Sequence, residues 1–204
     1  RFCGWIVNVS GRRAAKLPSI YPGPPANLLV VNKKCPSIAG ISNEIFSPKY
    51  EFLPGGLKLT FTYKESRKCP FNGRAKYKIV YRVPIDKDEV IIEYFASCNE
   101  DTIFNMTNHA YFNIASSKDC LDYNLQINSS KVANIAEDLC YTEYVPVTKE
   151  LDFREGKKVG KDIKAKSLQG PKLVGYDHLF LLDEVNYEKP AATLSYDKFA
   201  IECY

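Results

Sequence analysis

Two histidines, His109 and His178, each stand inside a short cluster of polar and aromatic residues. The first cluster is Phe104-Asn-Met-Thr-Asn-His-Ala-Tyr-Phe-Asn113, and the second is Gly175-Tyr-Asp-His-Leu-Phe180. Imidazole titrates near neutral pH, so either histidine could give or take a proton in general acid–base chemistry. The plainer reading is a hydrogen-bonded structural histidine whose Asn and Asp neighbours cap turns. Metal chemistry has less to stand on: two histidines and a carboxylate show no ligand spacing, and no HExxH occurs. No metal and no cofactor is therefore expected.

The elements that must carry these clusters read as strands. Leu57–Tyr63 alternates with Leu57, Leu59, Phe61 and Tyr63 on one face, and Ala75–Val83 does the same with Tyr77, Ile79, Tyr81 and Val83. Val90–Ala96 is a third run, separated from the second by a turn at Pro84–Asp88. Cys69-Pro-Phe-Asn-Gly73 is a reversal between the first two, so the three form an antiparallel meander. Further strands are expected at Asp122–Asn128, His178–Leu182, Ala192–Tyr196 and from Phe199 onward, with one helical turn within Ala133–Leu139. Residues 11–37, with five prolines, read as irregular. Short strands with turn signals between them predict an all-β antiparallel sandwich, and 204 residues suit a single domain.

Composition is that of an ordinary globular chain, 45% hydrophobic and 25% charged, with 14 Tyr and 11 Phe that favour strands. The net charge of +4 is dispersed. Its densest cluster, Lys157, Lys158, Lys161, Lys164 and Lys166, reads as a solvated loop, and no nucleic-acid partner is expected. No apolar run approaches the ~20 residues of a membrane span. Seven cysteines, an odd number without CxxC pairing, suit free thiols in a reducing compartment, so a cytoplasmic location is expected. The sequence opens on Arg1 and its sole methionine is Met106, which reads as a partial or processed chain.

Thr107-Asn-His-Ala-Tyr-Phe-Asn113 resembles the TNHxYFN signature of the aldose 1-epimerases (galactose mutarotases), and Gly175-Tyr-Asp-His-Leu-Phe180 resembles that family's GYDHxF. Both lie in the family's order. Between them, Leu151-Asp-Phe-Arg154 with Val159–Ile163 is similar to "FDFR…IGxDI". The resemblance runs from about Leu57 to Tyr204, and residues 1–56 match weakly. It implies the large antiparallel sandwich of the galactose mutarotase type, with C-terminal strands missing from this chain and a sugar site in an open cleft on one sheet.

The resemblance also implies a reaction. A base takes the proton of the anomeric hydroxyl, an acid protonates the ring oxygen, and the open aldehyde recloses on either face. One acid and one base must flank the same carbon within hydrogen-bond reach. By position, His109 is implied as the acid, Asp177 as a carboxylate that binds sugar hydroxyls, and Asn108 as a substrate-side residue that helps position its loop. His178 is implied as structural.

Three departures from the family pattern stand out. Gly4 and Trp5 fall where the family's sugar-holding "NRI" has Asn and Arg, and Trp cannot supply a cationic fork of donors. Cys35 falls where "LHGG" has its histidine. The family's glutamate base lies in a late strand, past the segment that Ile201–Tyr204 matches, so Glu202 is too early to be that base. The expected function is an aldose 1-epimerase-like mutarotase acting on an aldohexose such as galactose or glucose. The competing expectation is a catalytically silenced sugar-binding or scaffold protein on the same fold. Action on a phosphorylated hexose is a third expectation, resting only on the lysine cluster.

Overall fold

The aromatic and aliphatic alternation of the first predicted strands builds the centre of a four-stranded sheet. In the computed structural model, which describes residues 7–8, 45–65, 73–102, 106–108, 110–115, 118–135, 141–168 and 175–204, the chain divides into two compact units, Arg1–Ala110 and Tyr111–Tyr204. The first unit holds β1 (Val7–Asn8), β2 (Ser47–Leu53), β3 (Gly56–Lys64), β4 (Ala75–Pro84), β5 (Ile91–Cys98) and β6 (Thr107–Asn108). Strands β2 to β5 pair in chain order as an antiparallel meander, and β1 pairs with β6.

The register confirms the face assignment. Leu57, Leu59, Phe61 and Tyr63 stand opposite Val83, Tyr81, Ile79 and Tyr77. Because side chains alternate along a strand, all eight share one face. Tyr63 stacks on Tyr77 with centroids 6.1 Å apart, and Phe61 meets Tyr81 edge-on at 5.8 Å. Such aromatic pairs add about 0.5–1.5 kcal/mol each beyond the area they bury. Strand β2 joins the meander although it contains Pro48, which the edge of a sheet tolerates because one side of an edge strand has no ladder to lose.

A buried carboxyl locks the return from β3 to β4. Glu65 accepts hydrogen bonds from the Ala75 N–H and the Tyr77 hydroxyl, each at 3.1 Å. Its own N–H donates to the Ala75 carbonyl at 2.9 Å. Ala75 and Tyr77 are themselves fully buried, with Phe46, Tyr63, Cys98 and Met106 packed against them.

The second unit holds β7 (Asn124–Ile127), β8 (Lys131–Ile135), β9 (Tyr141–Pro146), β10 (Lys157–Lys158), β11 (Phe180–Leu181), β12 (Ala192–Tyr196) and β13 (Phe199–Cys203). They form two antiparallel sheets, ordered β10-β7-β12-β13 and β11-β8-β9. Apart from strands, the described residues contain two single 3-10 turns, Val159–Lys161 and Lys166–Leu168. Val132, Leu151 and Leu168 form the centre of a core that Val145, Val147, Ala165, Tyr176 and Phe180 enclose.

One expectation is corrected here and another is narrowed. Ala133–Ile135, the start of the segment expected to hold a helical turn, belongs to strand β8, where Val132 and Ala133 pair with Val145 and Tyr144 of β9; its remainder, 136–139, lies outside the described residues. Periodicity cannot separate strand from helix in so short an apolar run. Lys157 and Lys158 are not loop residues: they form β10 on the edge of a sheet. Lys157 is mostly buried, and its ammonium donates to the carbonyls of Lys149 and Glu150 and to Asp162 Oδ2.

Candidate functional site

The first motif straddles the boundary between the two units. Thr107 and Asn108 are strand residues, held by pairing with Asn8 and Val7. Asn108 is half-buried, and its side-chain amide is engaged at both ends. Its Oδ1 accepts from the Ala110 N–H at 2.8 Å, and its Nδ2 donates to the Tyr81 hydroxyl at 3.4 Å. That bond ties the Asn108 side chain to the backbone just past the end of β6. Burial pushes the Tyr81 phenol upward, with the Asn108 bond acting the other way. Tyr81 thus ties the motif to the aromatic face of the meander.

In the second unit the motif continues as exposed Tyr111, Phe112 and Asn113. Asn113 Oδ1 accepts a short hydrogen bond from the hydroxyl of Tyr123, a fully buried residue. That hydroxyl also accepts from the Ala115 N–H at 3.3 Å, and the Tyr123 ring leans on Tyr196 at 5.2 Å. The second Asn of the motif therefore serves the core of this unit.

The Gly175–Phe180 segment is held at both ends. Gly175 adopts a φ of +79°, which favours glycine, and a Cβ there would press on Ile163 Cγ1 at 3.2 Å. Its N–H donates to the Leu168 carbonyl at 2.9 Å. At the other end, the Ala133 N–H donates to Leu179, and Phe180 pairs with Val132. Between these ties, Tyr176 meets the fully buried ring of Phe153 edge-on at 5.1 Å. Alternation then turns Asp177 outward, where it is exposed. Its backbone N–H donates to His178 Nδ1 at 3.2 Å. Burial lowers the His178 pKa, opposed by the Asp177 charge. The arrangement presents an ionisable carboxylate beside an imidazole that burial keeps neutral.

Of the sequence-predicted residues, Asn108 and Asp177 are thus placed, one in each unit. His109, with Gly4, Trp5 and Cys35, lies outside the described residues. Tyr81 and Tyr123, which anchor the two asparagines of the first motif, were not singled out for the site; Tyr81's place on the aromatic face was the available signal. Among the described residues no group of three His, Cys, Asp or Glu comes together that could hold a metal ion. No helix among them is long and apolar enough to cross a membrane.

Comparison with known proteins agrees with the motifs. The family model described as aldose 1-epimerase matches residues 46–202. An aldose 1-epimerase of Haemophilus influenzae is 30% identical over 131 residues, covering 61% of this chain and 37% of that protein. A galactose mutarotase of Homo sapiens is 28% identical over 162 residues, covering 76% and 44%. Two solved structures share the fold. The galactose 1-epimerase of Lactobacillus acidophilus superposes with a TM-score of 0.66 at 23% identity, covering 77% of this chain and 46% of that one. An aldose epimerase homologue from C. elegans gives 0.64 at 22%, covering 78% and 47%. The large antiparallel β-sandwich expected from the sequence is the fold this likeness shows. The chain spans less than half the length of each of these relatives.

Proposed function

We propose a mutarotase function on the premise that this chain belongs to the aldose 1-epimerase family, whose model covers 157 consecutive positions, residues 46–202. The proposed reaction interconverts the α and β anomers of an aldohexose, galactose or glucose, by ring opening and reclosure. Coverage of both histidine motifs by that single match is the observation that carries the reading. The same match runs across the boundary at Ala110, so we take both units as parts of one domain.

In this reading His109 protonates the ring oxygen as the anomeric proton leaves, and Asp177 accepts hydrogen bonds from sugar hydroxyls. The exposure of Asp177, next in sequence to Tyr176, which packs on Phe153, suits a residue that meets a ligand from solvent. Asn108 positions the chain that follows it, since its amide is already engaged by Tyr81 and Ala110. We assign no base, because Glu202 stands in β13, ahead of where the family's base falls. Free thiols at Cys120 and Cys203 suit a cytoplasmic setting.

The test is polarimetry of freshly dissolved α-D-galactose and α-D-glucose, run with this chain and with a longer product that carries it through the family's late glutamate strand. Faster mutarotation with the longer product supports the reading. No acceleration by either, with both shown to be folded, overturns it. That outcome would favour the silenced sugar-binding protein that Gly4, Trp5 and Cys35 suggest.

A further inference from the structure

The lysine cluster forms a groove rather than a scattered surface charge. Strand β10 brings Lys157 and Lys158 against β7, and the 3-10 turn that follows presents Lys161, with Lys164 three residues on. With Leu121 and Ile163 these residues line an open depression of about 630 Å³. The floor is bare backbone at Gly160. Its N–H donates to the Leu121 carbonyl at 2.7 Å, and a Cβ there would sit 2.8 Å from that oxygen.

The lysines divide by what they already hold. Lys157 uses all three donors of its ammonium on Lys149, Glu150 and Asp162, so it fixes the wall and has none left for a ligand. Lys158 pairs with Asp122 at 2.9 Å, but both partners are about two-thirds exposed, so the pair can open at little cost. Lys161 and Lys164 are exposed, and neither has an ion pair among the described residues. Asp122 and Asp162 pair with two of the four lysines and Glu150 acts on Lys157, which leaves the positive charge of Lys161 and Lys164 on the lining unanswered by an ion pair among the described residues. The groove also touches the second motif, because Ile163 packs directly on Gly175, two residues before Asp177.

We propose that this groove binds a small phosphate-type anion, held by Lys161 and Lys164 with Lys158 released from Asp122. A tetrahedral oxyanion offers several acceptors at once, and ammonium donors meet it through short charge-assisted hydrogen bonds. The inference concerns binding and stands apart from the mutarotase reading.

The test is an NMR titration of the chain's amides with inorganic phosphate and, in a parallel arm, glucose 6-phosphate, at constant ionic strength. Saturable shifts confined to residues 157–164 and 175–177 are expected. The K161A/K164A double variant should weaken binding by about tenfold or more, the worth of one or two charge-assisted hydrogen bonds. A K189A/K198A variant, which removes the same charge elsewhere in the unit, should stay within about twofold, as screened distant charges do. Tighter binding of the sugar phosphate would identify a phosphorylated sugar as the source of the anion; equal binding would identify phosphate itself. Shifts that fail to saturate, or equal weakening in both variants, would overturn the proposal. Melting curves establish that the variants fold, and single K164A serves if the double does not.

Discussion

Asn108 Oδ1 accepts the Ala110 N–H at 2.8 Å, so one side chain ties Ala110 to the end of β6. Asn108→Ala should remove that bond and the longer one to Tyr81. A loss of about 1 kcal/mol in urea unfolding is expected, the usual net worth of a hydrogen bond with a partner left exposed to water. Asn108→Asp keeps the acceptor and should lose less. Equal losses for the two variants would show that the tie does not depend on this oxygen.

For the chemistry, His109→Asn should lower the mutarotase rate of an active product by about two to four decades, the typical contribution of a general acid or base. Polarimetry reads this directly. An unchanged rate would remove His109 from the mechanism.

Burial lowers the His178 pKa below its ordinary 6.5, and Asp177 offsets this only in part. The folded state therefore binds fewer protons than the unfolded state. The stability contributed is fully present above about pH 6.5 and is lost as pH falls through the lowered folded value. Protonation at Nδ1 would also remove the acceptor of the Asp177 N–H. An NMR titration should place the His178 midpoint below 6.5, and His178→Gln should flatten the stability profile just below that pH. A midpoint at or above 6.5 would refute the assignment.

The side-chain hydrogen bond from Arg154 is the main cause that brings the Asp152 carboxyl down to about 2. With a depressed folded pKa, its contribution is present above about pH 4 and lost as pH falls through about 2. The pair is largely solvated, with side chains 49% and 35% exposed. Screening should then hold its worth to about 0.5 kcal/mol or less. Asp152→Asn should lower Tm by only ~1–2 °C at pH 7, and this deficit should vanish near pH 2. A large loss at neutral pH would mean that the pair supports the neighbouring core.

Glu65 should matter far more. Its carboxyl is buried and satisfies both Ala75 and Tyr77. Glu65→Ala leaves those donors without it and should cost roughly 2–3 kcal/mol in urea unfolding, while Glu65→Gln should cost less. A cost near zero for Glu65→Ala would show that water replaces the carboxyl at no penalty.

Much of this fold was legible in advance because alternation is a local signal. Strand β12 coincides with the predicted Ala192–Tyr196, β3 extends its predicted run by a residue at each end, and β4 extends its own by one. Strand β2 carried no such signal. The segment holds Pro48 with the charged Lys49 and Glu51 and was assigned no element from the sequence; pairing with β3 makes it a strand. At Ala133 the same non-local pairing makes a strand of the first residues of a segment expected to hold a helical turn.

The amino-acid sequence by itself determined the chemistry on offer and the family: two histidine motifs in fixed order, a carboxylate at Asp177, and the strands that carry them. Residue identity and spacing are properties of the chain alone. Tertiary structure decided which of those groups are already committed. Asn108 is engaged by Tyr81, 27 positions away, and Asn113 by Tyr123. Lys157 is buried among carbonyls while Lys161 stays free of any ion pair among the described residues. The reason is physical: hydrogen bonding and burial are set by contacts that only the folded chain makes, and those contacts separate a group that holds the protein together from one that can meet a ligand.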